Sequence, residues 1–209
     1  MKELDQSVVK EIIEAADFEH RNREYKDAFS WEDKNSTWLK EKCIRAILGL
    51  TNTLTGGQLI IGIEEDENHK PIIKGLSDGQ LESFSDYEKI KNEIDGFSTS
   101  NLNFEMAYGV YKVGDNDSRI LFISVEEFEE TPTICKKNGQ TAGVLIKDDI
   151  YSRAKKGSAA TIKATDIEIR EIIKMAADKE ASNLEKRGYI KKEMEGVETY
   201  FQNQINDLD

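Results

Sequence analysis

A short polar stretch near the N-terminus, FEHRNREYK, holds the residues of this sequence that are most suited to metal or acid–base chemistry. Glu19 and Glu24 lie five residues apart, and Lys26 follows two residues after Glu24. A separation of five places two side chains on different faces of a helix and on opposite faces of a strand. The two carboxylates therefore share a site only if the chain bends between them, and we expect that bend near Asn22. A strand would direct Glu24 and Lys26 to the same face.

Two helices and a short strand are predicted around this stretch. The helical spacing of apolar residues predicts a helix over residues 3–16. A turn then leads to a strand over residues 24–28. Ser36 or Thr37 is expected to cap the next helix, over residues 38–53, whose apolar face includes Cys43.

A glycine pair marks the start of the next element. Gly56 and Gly57 end the helix, and the apolar run QLIIGIE predicts a buried strand with Glu64 at its end. The polar segment EDENHK turns the chain, and PIIKGL returns as the hairpin partner. The GxxxxGK[ST] spacing of a P-loop is absent, so the glycines indicate a tight turn.

The rest of the chain supplies further strands and helices. We predict a helix over residues 86–96, long strands over 103–113 and 119–127, and short strands over 133–135, 144–146 and 150–153. Thr165 or Asp166 should cap a helix whose apolar face carries Ile167, Ile169, Ile172 and Ile173. From Ile190 to Leu208, apolar residues step by three or four and predict an amphipathic helix, interrupted at Gly196, that packs on its own domain or on a partner subunit.

These elements define an α+β fold class: a mixed, mainly antiparallel sheet with flanking helices and a C-terminal helical appendage. The expected organisation is an N-terminal helix (1–14), one domain (15–175) and a C-terminal helical extension (176–209). The two cysteines fit neither a disulfide framework nor a zinc site. The first residues lack the apolar core of a signal peptide and no apolar run in the sequence reaches membrane-spanning length, so we expect a cytoplasmic protein without a membrane partner.

The charge distribution limits how this protein could bind a polyanion such as nucleic acid. The net charge is −12, with 33% of residues charged, which argues against coating nucleic acid through general basicity. Residues 136–163 nevertheless hold seven lysines and arginines against two aspartates. Such a segment is either a solvated surface or a place for one chosen anion.

Several short motifs occur in an order that resembles the Schlafen/AlbA-like domain family, over roughly residues 15–175. They are Glu19, Glu24-Tyr25-Lys26, Asn52-Thr53, Gly56-Gly57, Gly62-Ile63-Glu64-Glu65, Lys74-Gly75-Leu76, Thr131-Pro132, Tyr151-Ser152-Arg153 and Gly157-Ser158. The sequence departs from the family pattern in three ways. The run NTLTGG has one additional residue, Glu64 or Glu65 stands where aspartate is usual, and Tyr25 replaces phenylalanine.

The resemblance implies a metal-dependent endoribonuclease acting on structured RNA such as tRNA, with RNA favoured over DNA. Its three carboxylates would be Glu19, Glu24 and Glu64, which would bind Mg²⁺ or Mn²⁺, with Glu65 and Asp66 as substitutes for the third. Lys26 would neutralise a phosphate oxygen in the catalytic site. The side chains expected to hold the nucleic-acid backbone are Tyr151, Arg153, Lys155 and Lys156.

Four other interpretations fit the same sequence. In the first, the domain binds nucleic acid without catalysis, either as a regulatory module or as one subunit of a larger assembly. Glu24-Tyr25-Lys26 also fits the Glu-x-Lys motif of restriction-like nucleases, but only a short helix lies upstream of it. An interaction protein would use the C-terminal helix for a homo-oligomer or a partner subunit. Finally, Glu24 and Lys26 would form only an ordinary same-face ion pair of small energetic value.

Overall fold

The computed structural model describes residues 1–14, 21–65, 71–155 and 160–189. In chain order, the strands are β1 (Lys2–Glu3), β2 (Arg23–Lys26), β3 (Gly57–Ile61), β4 (Ile63–Glu65), β5 (Pro71–Ile73), β6 (Phe104–Val113), β7 (Asn116–Val125), β8 (Tyr151–Arg153) and β9 (Thr161–Lys163). The α-helices are α1 (Gln6–Glu14), α2 (Thr37–Thr51), α3 (Asp78–Glu82), α4 (Tyr87–Asp95) and α5 (Asp166–Lys186), and a 3-10 turn (Lys34–Ser36) precedes α2.

Five of these strands form a mixed sheet in the order β1-β6-β7-β3-β2. The hairpin β6–β7 is antiparallel and β3 pairs antiparallel with β7, whereas the outer strands β1 and β2 run parallel to their neighbours. Two small antiparallel sheets, β4–β5 and β8–β9, complete the strands of the described residues. Antiparallel pairing therefore predominates, which confirms the predicted α+β fold class.

Both faces of the main sheet are covered by helices. Leu59 and Ile61 belong to the larger core cluster, which includes the buried face of α2, while Ile60 belongs to a second cluster that includes Val9 of α1. Because side chains alternate along a strand, a strand covered on both faces is apolar at successive positions. This explains why the run LII predicted a buried strand. No helix in the described ranges is long and apolar enough to cross a membrane.

The glycine pair brings three segments into close contact. Gly56 has a φ of +62°, and a Cβ there would lie 2.0 Å from the carbonyl oxygen of Val125. A Cβ on Gly57 would lie 2.4 Å from the carbonyl oxygen of Asn22. Glycine is therefore required on steric grounds where β3 begins between β7 and the turn that leads into β2.

Several predicted boundaries differ from the structure. The predicted strand QLIIGIE is two strands, because Gly62, with a φ of +107°, separates β3 from β4. The predicted strands 133–135 and 144–146 are not strands; the first makes one isolated bridge, between Ser98 and Cys135. The short elements β1, α3 and β9 are not predicted from the sequence.

The expected Thr165 is the N-cap of helix α5 and forms a capping box with Glu168. The helix continues without a break past residue 175, the predicted end of the domain. The predicted apolar face was partly wrong, since Ile172 is buried but Ile167 and Ile173 are exposed. The amphipathic segment from residue 190 onward lies outside the described residues.

Candidate functional site

The parallel pair β2–β3 places Glu24 and Lys26 on one face of the sheet edge. Glu24 pairs with Leu59 and Lys26 with Ile61 in the strand register. The ammonium of Lys26 donates a hydrogen bond to Oε1 of Glu24, and only 14% of the Lys26 side chain and 8% of the Glu24 side chain are exposed. The same-face arrangement predicted from their spacing is thus confirmed, and the ion pair is largely buried.

Arg153 supplies a second cation to Glu24 from β8. Its side chain is fully buried and forms an ion pair with Oε2 of Glu24. Its Nε donates to the carbonyl oxygen of Arg21 at 3.0 Å, and its Nη2 donates to that of Arg23 at 2.7 Å. Thr161 of β9 accepts a hydrogen bond from Arg153 Nη1 at 3.0 Å and donates to Glu24 at 3.1 Å. Arg153 therefore fastens the β8–β9 hairpin to β2 and helps to neutralise Glu24.

The predicted three-carboxylate site is only partly described. Glu64 lies on β4, is partly exposed, and forms an ion pair with Lys74 at 2.9 Å. Glu19 lies outside the described residues, as does Asp66. Among the described residues, no group of three or more His, Cys, Asp or Glu side chains could hold a metal ion. Glu24 and Glu64 each contact a cationic side chain already, so these two alone do not fit a divalent-ion site.

The side chains expected to hold a nucleic-acid backbone occupy other positions. Tyr151 is buried; its hydroxyl donates to the carbonyl oxygen of Val144 at 3.2 Å and accepts from the amide of Ile146 at 2.8 Å. Tyr151 and Arg153 are therefore buried side chains whose described contacts lie within the protein. Lys155 is at the surface, where it forms an ion pair with Glu171. Lys156 lies outside the described residues.

The basic segment 136–163 is largely paired with acidic or aromatic groups. Lys163 lies 2.6 Å from Asp149, and Lys147 lies 4.0 Å from Asp148. Lys137 lies over the ring of Phe97, 4.3 Å from its centroid. These contacts favour the interpretation of this segment as an ordinary solvated surface.

A different set of cations lies beside Lys26, on α2. Burial is the largest cause that lowers the pKa of Lys42, and the positive charges of Lys26 and Arg45 lower that pKa further. Lys26 and Arg45 are thus near enough to act electrostatically on Lys42, and we call these three residues the cationic face. Within the described part of the chain, no carboxylate forms an ion pair with Lys42 or Arg45, whereas Lys40 on the same helix contacts Glu93 at 3.2 Å.

Aromatic rings contact both of the unpaired cations. The Lys42 ammonium lies 3.8 Å from the centroid of the Trp38 ring, and the Arg45 guanidinium lies 4.9 Å from that of Tyr151. The Nε of Arg45 is buried and has no hydrogen-bond partner within the described residues. Sequence analysis missed this face because α2 was read only for its apolar residues. The signal was present in the i, i+4, i+7 spacing of Trp38, Lys42 and Arg45.

Fold and site together define an α+β domain in which a buried glutamate is neutralised by Lys26 and Arg153, next to a cationic face. Residues 19–161 match the family model described as Schlafen, AlbA_2. Because this match spans more than half of the sequence, the chain belongs to the Schlafen/AlbA_2 family, as its motifs indicated.

Two of the solved structures that are similar to this chain illustrate the low sequence identity. The DIP2311 protein from Corynebacterium diphtheriae is 16% identical, with a TM-score of 0.43; the alignment covers 73% of this chain and 23% of that one. The N-terminal domain of a protein from Nitrosomonas europaea, described as related to the ATP-dependent DNA helicase RecG, is 16% identical, with a TM-score of 0.38; the coverage is 78% and 92%. The chain thus spans less than a quarter of DIP2311. No curated protein matches significantly.

Proposed function

We propose that this domain binds nucleic acid and that the cationic face of Lys26, Lys42 and Arg45 contacts the phosphate backbone. The observation that carries this proposal is the presence of two cations, Lys42 and Arg45, beside Lys26 and without carboxylate partners in the described residues. Phosphates are the usual partners of such lysines and arginines in nucleic-acid complexes. Membership of the Schlafen/AlbA_2 family supports the same class of ligand.

The electrostatics of Lys42 explain why a phosphate would be favoured there. Lys42 is partly desolvated and is repelled by Lys26 and Arg45, so its charged form is destabilised in the free protein. A bound phosphate would relieve this repulsion and raise the pKa of Lys42. The overall charge of −12 means that attraction would be confined to this face.

Binding is tested by fluorescence anisotropy with labelled RNA and DNA oligomers in EDTA, at low and physiological salt. The test variant is Lys42→Gln/Arg45→Gln. The charge-matched control is Lys10→Gln/Lys112→Gln, whose residues are exposed on α1 and β6. We expect the test variant to bind about tenfold or more weakly with a shallower salt dependence, since each lost phosphate contact reduces the salt slope by about one. Equal affinity of the test variant and the wild type would overturn the proposal.

The second candidate function is a metal-dependent endoribonuclease that cuts structured RNA such as tRNA. The position of Glu24 favours it, because this carboxylate contacts Lys26 and thus lies beside the face on which a phosphate would bind. In this proposal Glu19, Glu24 and Glu64 bind Mg²⁺ or Mn²⁺, and Lys26 neutralises a phosphate oxygen. A bound divalent ion would supply an activated water and stabilise charge on the phosphate.

Cleavage of tRNA and of single-stranded DNA, with Mn²⁺, with Mg²⁺ or with EDTA, separates the two candidates. The informative variant is Glu64→Gln, because Glu64 is partly exposed and its loss should leave folding intact. Metal-dependent cutting that is lost in Glu64→Gln would support the nuclease. Binding without cutting at either metal would instead support a non-catalytic regulatory module or a subunit of a larger assembly.

A further inference from the structure

We infer that the ligand is a single-stranded nucleic acid, with a base stacked on Trp38 and the adjacent phosphates held by Lys42 and Arg45. This inference rests on the proposed nucleic-acid binding and specifies the form of the ligand. Stacking platforms combined with positive charge are the usual means by which proteins bind single strands, because every base has an aromatic face.

The three side chains lie along one stripe of α2. Positions i, i+4 and i+7 share a face of a helix, and the stripe from Trp38 to Arg45 covers roughly 10 Å along the helix axis. At the rise of about 3.4 Å per nucleotide of one DNA strand, this length corresponds to at most about three nucleotides. The stripe is thus long enough for one base and its neighbouring phosphates.

Trp38 is exposed where packing does not require an aromatic residue. It is 48% exposed, whereas the other tryptophan, Trp31, is 1% exposed and belongs to the core. The Lys42 ammonium lies 3.8 Å from the ring centroid, so the ring and the charge form one platform. A base stacked on the ring face opposite the ammonium would bring its own phosphate close to Lys42.

Arg45 is held in a position suited to a second phosphate. Its guanidinium stacks on the buried Tyr151 ring, at 4.9 Å from the centroid. Guanidinium groups bind phosphates through paired N–H donors, and a stacked guanidinium loses less conformational freedom on binding. Within the described residues, no carboxylate pairs with Arg45 that a phosphate would have to displace.

The presence of only two tryptophans gives a direct optical test. Full-length protein in EDTA is titrated with oligo(U), oligo(dT), an abasic phosphodiester of equal length and a blunt duplex, while tryptophan emission and anisotropy are recorded. We expect saturable quenching by oligo(U) and oligo(dT) and weaker binding of the abasic chain and the duplex. Preference for oligo(U) would identify RNA as the ligand; equal binding would indicate single strands of either kind.

Variants at Trp38 separate stacking from charge. Trp38→Ala should weaken oligomer binding roughly 5- to 100-fold, the range typical of a lost base–aromatic stack. Trp38→Phe should retain most of the affinity and lose the quenching, because the buried Trp31 is then the only tryptophan.

Two outcomes would overturn this inference. Wild-type affinity of Trp38→Ala, or equal binding of the abasic chain and oligo(U), would reject base stacking. If the variant Lys42→Gln/Arg45→Gln still bound more weakly than the wild type after either outcome, the proposed nucleic-acid binding would stand and only base stacking would be rejected. Absence of binding to every oligomer at low salt would reject both proposals.

Discussion

Replacing Arg153 tests whether this arginine is an interior anchor, as the structure shows, or a contact for nucleic acid, as the sequence suggested. The informative change is Arg153→Met, which keeps an unbranched but shorter side chain and removes the charge and all donors. Arg153→Lys serves as the conservative comparison, because it keeps the charge opposite Glu24 and loses the planar fork of donors.

The structure sets the expected size of the effect. Arg153→Met removes the donors to the carbonyl oxygens of Arg21 and Arg23 and the ion pair with Glu24, which keeps its contacts with Lys26 and Thr161. Each buried polar group left without a partner costs about 1–3 kcal/mol, and breaking a buried ion pair costs about 3–5 kcal/mol in total. These costs overlap, so we expect a loss of about 4 kcal/mol. In a chain of this length that lowers Tm by roughly 10 °C.

Thermal unfolding followed by circular dichroism at pH 7 measures this effect. Arg153→Lys should lose about 1–2 kcal/mol, because it still neutralises Glu24. The matched control is Lys155→Met, two residues away, whose surface ion pair with Glu171 is worth about 0–1 kcal/mol. Folded Arg153→Lys should also keep its affinity for oligomers within about threefold, about 0.6 kcal/mol.

A Tm for Arg153→Met within about 2 °C of the wild type, less than 1 kcal/mol on the same scale, would contradict an interior anchor. Such a result would mean that the Arg153 side chain does not connect β8 to β2 in solution. Arg153 would then return to the candidates for backbone contact.

Three further predictions concern stability and reactivity. Hydrogen bonds from Thr165 hold the pKa of Glu168 below its usual range, so its contribution is present above the unfolded pKa and lost as pH falls through the folded value. The Tm difference between wild type and Glu168→Gln should therefore be largest near pH 7 and shrink below about pH 4. Burial raises the pKa of Cys43 to about 12, so a thiol reagent at pH 8 should label it only on unfolding. Gly139→Ala would place a Cβ 2.7 Å from the Glu41 carboxyl group and should cost about 1–3 kcal/mol by denaturant titration.

The elements that could be predicted from sequence are those with strong local patterns. The helix α2 and the hairpin β6–β7 follow from apolar periodicity and turn residues, and the structure has them within a few residues of the predicted bounds. The orientation of Glu24 and Lys26 followed from strand geometry alone. In each of these cases the information lies within a few neighbouring residues.

The role of Arg153 could not be predicted in this way. Its hydrogen bond to the carbonyl of Arg21 joins positions 132 residues apart in sequence, so only the tertiary fold brings them together. Arginine is seldom fully buried unless it is paired, and a surface role was therefore the natural expectation. Likewise, Val144 and Leu145 are buried without joining a strand ladder. The predicted strand over residues 144–146 was wrong because apolar character alone does not distinguish a strand from a packed loop.

The structure also changes how a cleavage experiment on Glu24 must be interpreted. Glu24 forms ion pairs with both Arg153 and Lys26, so Glu24→Gln removes a negative charge from beside two largely buried cations. Lost activity in that variant would therefore have two explanations. Either a metal ligand is missing, or the β8–β9 hairpin no longer packs on β2. Glu64 has no comparable burial, and its partner Lys74 is half exposed. A Glu64→Gln variant that keeps its Tm and its oligomer affinity but loses metal-dependent cutting would thus identify catalysis. The same loss in Glu24→Gln is interpretable only beside a stability measurement.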